Sequence, residues 1–384
     1  MARMMSGRGW VLGTVIIAVA LWGGGSNAAE HDCVRAAKLV REGVGRGDGS
    51  DEEEKSYRAA LDVCPQMPEA RFNLGVVFAK RGRFEEAERE LLQALELRGD
   101  SAFRVALASV KLEQGRVDDA LAEYERVLAD DPRNDRAAQG VAVILDRQGK
   151  TPEAIKVLTD VTNVDKPTAL SFLNLALLLE RSGENEQALG AYERAMALDS
   201  AAVEPFFFGG LALQRAGRLQ DAVRALSRAA EIKPERVDVL QSLGAVSQKA
   251  GDLDKAALAF RKVVALEPNN LGALVSLGVV LIGKRQEAQA EGILAQAVGL
   301  APTDGRAIGA LGWAHLELGK FEEAEKNLRK AAELDALNAE ARNNLGVLYE
   351  RLGRTDDALR EFKAAAQIDP TLAPALANAA RLQR

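Results

Sequence analysis

Aromatic residues make up only 5% of this chain, and its 384 residues include just two histidines and two cysteines. His31 and His315 stand far apart in sequence. No GxSxG, CxxC pair or phosphate loop of the required glycine spacing occurs. The usual nucleophile–base and metal arrangements therefore lack their raw material, and no catalytic residue, metal or cofactor is expected. Basic charge is not in excess either: 50 Lys and Arg face 56 Asp and Glu, for a formal net charge of -6. A phosphate-binding surface is not expected from that balance, so nucleic acid is set aside as a partner. Long alternating runs of Val, Ile and Thr, which would announce a sheet, are also missing.

What the chain does have is apolar content without bulk. Hydrophobic residues reach 47%, much of it alanine, the best helix former. The N-terminus has the pattern of an export leader. Arg3 and Arg8 precede an apolar run from Trp10 to Trp22, and glycines then lead to the small residues Ser26-Asn27-Ala28. This pattern predicts a signal peptide over residues 1–28, cut after Ala28. The apolar run has 13 residues, short of the roughly 18 that a bilayer span needs, so no span is expected in the mature form. An uncleaved anchor is the alternative.

One period organises the rest. Ala120, Ala154, Ala188, Ala222, Ala256, Ala290, Ala324 and Ala358 are spaced by 34 residues, and Ala87 precedes them by 33. Twelve residues before each alanine lies a small residue, from Gly75 and Ala108 to Gly312 and Gly346. Five before it lies a glycine in every unit except one, which has Arg285. Each period reads as two helices. In the last unit Leu345, Gly346 and Tyr349 share one helical face, and Gly353 ends that helix. Asp356 and Asp357 then open a second helix, whose stripe is Ala358, Phe362 and Ala365, and Pro370 stops it. A lone hairpin of this kind cannot bury its faces, so neighbours must stack. The unit at 271–304, lacking the turn glycine, is expected to be the softest or to bend the array.

The segment ARNNLGVLYERLGRTDDALREFKAAAQIDP, with the spacing of the other units, resembles the tetratricopeptide repeat family. The resemblance covers residues 68–372 as nine repeats. It implies an all-α, right-handed α-solenoid whose first helices line a concave groove for peptides or partner helices. Residues 29–67 fit a further degenerate repeat, in which Ser50 and Glu53 suggest a capping box. Residues 373–384 fit a C-terminal capping helix. In this register Cys33 precedes one helix and Cys64 ends the next. Antiparallel helices bring the two together, and a Cys33–Cys64 disulfide is expected in an oxidising compartment; two unpaired thiols are the alternative.

The groove is the candidate site. Numbered from each repeat's first residue, positions 4, 7, 8 and 11 face the core, position 9 points away from it, and position 5 lies on the shoulder. Position 9 is apolar in most units, with Val76, Leu177, Leu211, Val279, Trp313 and Val347 among its residues. Phe72, Leu173 and Phe207 add to the strip at position 5, and Phe208 at position 6. An apolar strip on a face otherwise solvated marks an interaction site. Packing on neighbouring repeats is the other account, strongest for position 5. Phe207, Phe208 and Trp313 are the expected anchors, and Asn73, Asn174, Asn343 and Asn344 the donors and acceptors for a ligand's backbone. The family's clamp for a C-terminal carboxylate uses basic side chains at positions 2, 5 and 6, and positions 5 and 6 here hold none. The expected function is a non-enzymatic scaffold for a protein or peptide partner, periplasmic, in a multiprotein envelope machine serving a pilus, motility, secretion or wall synthesis. The alternative is a periplasmic holdase for apolar client segments.

Overall fold

The computed structural model describes residues 28–383, with side chains from residue 32 onward. The expected leader, residues 1–28, lies outside them except for Ala28. Every element among the described residues is a helix, and consecutive helices pair as hairpins. Two compact units divide the chain, the first ending at Leu198 and the second starting at Asp199.

The first unit contains five hairpins. They are α1 (Ala28–Arg46) with α2 (Asp51–Val63), α3 (Pro68–Lys80) with α4 (Phe84–Leu97), α5 (Ser101–Glu113) with α6 (Val117–Asp130), α7 (Asp135–Arg147) with α8 (Thr151–Thr162), and α9 (Ala169–Ser182) with α10 (Asn185–Leu198). The second unit contains five more and a single closing helix. They are α11 (Val203–Arg215) with α12 (Leu219–Ile232), α13 (Val237–Lys249) with α14 (Leu253–Leu266), α15 (Leu271–Gly283) with α16 (Glu287–Leu300), α17 (Gly305–Glu317) with α18 (Phe321–Leu334), α19 (Ala339–Arg351) with α20 (Thr355–Ile368), and then α21 (Ala373–Leu382).

Close approach explains the period. The periodic alanine in the first turns of each second helix from α4 onward is fully or almost fully buried, Ala87 and Ala358 included. Four residues on, a large side chain enters the first helix where a small residue makes room. A Cβ on Gly346 would stand 2.6 Å from the Phe362 ring, and one on Gly278 only 2.4 Å from Leu294. Any larger residue there would separate the helices, since cores this dense have no slack.

Between the helices the turn needs a left-handed residue. Gly319 has φ 73°, and its N–H and that of Lys320 donate back to Leu316 and His315. Arg285 does the same without being glycine, at φ 59°. Its N–H donates to Ile282 and that of Gln286 to Leu281, both at 2.9 Å. The bend expected at this unit is therefore not made at the turn, which keeps its neighbours' form. The cost is backbone strain, about 1–2 kcal/mol for an L-residue in this region.

The two ends are finished differently. Cys33 and Cys64 form a disulfide, with Cα atoms 5.1 Å apart. Cys33 does not precede its helix, as the register suggested, but lies inside α1, which starts at Ala28. The capping box is half present. Ser50 Oγ accepts the N–H of Glu53, but the Glu53 carboxylate accepts from Gly49, because the Ser50 N–H already donates to Asp48. At the other end α21 covers the last repeat, with Ala379 and Leu382 packed on the cluster of Leu345, Leu348 and Phe362.

Candidate functional site

In the first unit, the side chains expected to line a groove are mostly inside the structure. Phe72 is fully buried and stacks on Phe103 of the next repeat, with ring centroids 4.9 Å apart. Val76, Leu173, Asn73 and Asn174 are all at least nine-tenths buried, and only Leu177 keeps partial exposure. Ser109, the one polar residue at position 9, also turns inward. Its hydroxyl donates to Val105 and shares a 2.9 Å hydrogen bond with Tyr124. Neither side-chain atom of the Asn174 amide has a hydrogen-bond partner, a burial that costs about 1–3 kcal/mol.

At the start of the second unit the pattern persists. Phe207 and Phe208 are 6% and 4% exposed, their ring centroids 5.2 Å apart, and the Arg236 guanidinium lies 4.9 Å from the Phe207 centroid. They are not the free anchors that the sequence suggested, because packing already covers both rings. Leu211 is half-buried.

Farther along the second unit the inner face opens. A cleft of about 460 Å³ lies across α15, α17 and α19. Val275, Val279, Ala310 and Trp313 form its apolar lining, with Gly309 beside them. Positions 5 and 6 of this repeat are Gly309 and Ala310, so no bulky side chain fills the space, and Trp313 at position 9 is only half-buried. Asn344 also lines the cleft, and its amide has no partner in the protein. Asn343 is already engaged, accepting a hydrogen bond from Asn378 of α21 at 3.3 Å. Val347 is half-buried and packs on the cluster shared with Trp313.

Sequence reasoning missed one lining residue with a readable signal. Leu337, in the turn between α18 and α19, is 76% exposed beside the cleft. The equivalent turn position in neighbouring repeats is Glu235, Asn269, Thr303 and Thr371, so a leucine there stands out. The rim is charged: Arg306, Asp335, Glu340 and Asp369 border the opening. Hydrogen bonds from the Thr371 hydroxyl and N–H hold the Asp369 carboxyl below its usual range. His315, by contrast, belongs to the packing. Its Nε2 lies 3.1 Å from Glu291 and its Nδ1 3.1 Å from the Asn327 amide, an arrangement that the Nε2–H tautomer satisfies.

The sequence profile of the tetratricopeptide repeat matches residues 54–102, 105–163, 173–237 and 310–373, and a second profile of the same repeat matches 247–314. The chain belongs to the tetratricopeptide repeat family, a fold that serves protein–protein interaction. No curated protein matches it. Among solved structures it is similar to a tetratricopeptide repeat protein from Parabacteroides merdae ATCC 43184, at 14% identity and TM-score 0.49 over 68% of this chain and 99% of that one. It is also similar to a thermophilic TPR protein in Thermus thermophilus, at 26% identity and TM-score 0.41 over 47% of this chain and 99% of that one. A third likeness is to MamA, residue 41 to the end, from Desulfovibrio magneticus RS-1, at 26% identity and TM-score 0.39 over 45% and 97%. No helix among the described residues is long and apolar enough to cross a membrane.

Proposed function

We propose that this chain is a non-enzymatic adaptor that holds an apolar helix or peptide of a protein partner in the cleft of its second unit. The observation that carries the reading is the open apolar lining at Val279 and Trp313, with Leu337 exposed beside it and the unpaired Asn344 amide within reach. Apolar surface left uncovered in a fold this well packed is available for binding, and a side chain of tryptophan or leucine size contributes about 1.5–3 kcal/mol when covered. The amide supplies a donor and an acceptor for a peptide group of the ligand. The leader pattern over residues 1–28, together with a structural disulfide, supports export to an oxidising compartment. In a Gram-negative bacterium that is the periplasm, where the adaptor would join a multiprotein machine of the envelope.

Affinity capture from native envelope tests this, with the wild type beside Trp313→Ala and Leu337→Asp. Leu337 lies in an exposed turn, so its variant keeps the fold even where the tryptophan variant weakens it. The expected result is a stoichiometric partner lost with both variants. Full retention of that partner by both would sink the reading.

A further inference from the structure

The cleft has a charge as well as an apolar lining. Three carboxylates border it, and none meets a cation. The Asp335 carboxylate accepts only the backbone N–H of Leu337, at 3.1 Å. Asp369 accepts the N–H and hydroxyl of Thr371, at 2.8 and 2.7 Å. Glu340 makes no hydrogen bond or ion pair. Arg306, the one cation on the rim, is held 3.3 Å from Asp304, which also accepts the N–H of Ala307.

Several other carboxylates of this unit are matched by a cation. Glu317 meets Arg351, Glu361 meets Arg342, Glu350 meets Arg381, and Glu291 meets Lys320. Residues 199–384 as a whole are balanced, with 24 Lys and Arg against 24 Asp and Glu. Against that balance, three carboxylates without a cation gather at this one cleft. Helix ends add to it: Asp335 and Asp369 are the C-caps of α18 and α20, where the negative ends of two helix dipoles emerge. In the lining, Trp313 offers part of its indole, the side chain best suited to a guanidinium or ammonium.

We infer that the occupant of the cleft is a basic apolar protein segment, carrying Arg or Lys beside the apolar side chain that covers Trp313. The apolar residue fills the space that Gly309 and Ala310 leave, and the cation supplies the counter-charge that the rim lacks. This rests on the adaptor reading above and narrows it to one class of partner. An acidic segment is disfavoured by the same charges, and a C-terminal carboxylate most of all.

A random dodecapeptide phage library, selected on the full-length chain and counter-selected on Trp313→Ala and Leu337→Asp, separates the possibilities. Enriched peptides are expected to place Arg or Lys within two residues of Leu, Phe or Trp. For a synthetic winner, Glu340→Gln combined with Asp369→Asn is expected to weaken binding roughly fivefold, in line with two exposed ion pairs, and to flatten its salt dependence. Neutral or acidic winners overturn this inference and leave the adaptor reading standing. Basic winners indifferent to the double variant do the same. Failure of any peptide to distinguish the wild type from both counter-selection variants removes the adaptor reading itself. A Leu337-dependent dimer of the chain in sedimentation would assign the cleft to a second copy and overturn the inference as well.

Discussion

Phe72 and Trp313 lie on the inner faces of equivalent helices in the two units, and they meet different fates. In the first unit Phe72 stacks on Phe103, and its neighbours Asn73 and Val76 are at least nine-tenths buried. In the second, Gly309 and Ala310 take the equivalent places beside Trp313, and a cleft remains. Both faces satisfy the same repeat pattern. The difference is side-chain volume at positions 5 and 6, which decides whether the inner face becomes packing or a site. The apolar strip of this chain is therefore a mixture of side chains buried in packing and side chains that line the cleft.

Truncation should separate the two kinds of residue, and the largest effect belongs to the buried one. Phe72→Ala is expected to destabilise the first unit by about 3–5 kcal/mol, seen as a lower unfolding midpoint in urea, while cleft-dependent binding persists. Comparable in size is the loss of the N-terminal staple. Cys33→Ser with Cys64→Ser should cost roughly 3–4 kcal/mol for a loop of this length. Hydrogen exchange should place that loss in residues 28–63, with α15 to α20 unaffected. Trp313→Ala reverses the Phe72 result. Its main effect is on affinity, by about 1.5–3 kcal/mol or roughly 10- to 150-fold, measured by titration of a cleft-binding peptide. The smallest effect is a gain. Arg285→Gly relieves the left-handed strain at the one turn without glycine and is expected to stabilise by about 0.5–1 kcal/mol, a small rise in the unfolding midpoint.

The period, the hairpins, the disulfide and the closing helix α21 were legible because each depends on residues close in sequence or in register. Gly346 and Phe362 reveal their contact by spacing alone. The site was only partly legible. Helical geometry identifies the inward positions, and Val279, Trp313 and Asn344 do line the cleft. Whether an inward side chain is free depends on the next repeat, and a helical wheel does not include it. Phe207 and Phe208 illustrate this: they occupy groove positions, yet their rings are covered. Leu337 lies outside the first-helix register altogether, and Asp335 and Asp369 are the C-cap residues of second helices, so a search confined to the first helices passes over them.

A photo-crosslinking amino acid placed at Leu337, and separately at the exposed Leu92 of α4, tests the central claim in the source cell. The account predicts a discrete adduct from position 337 that disappears when Trp313→Ala is added, and none from position 92. An adduct formed from position 92 alone, or one from 337 that persists without Trp313, would contradict it.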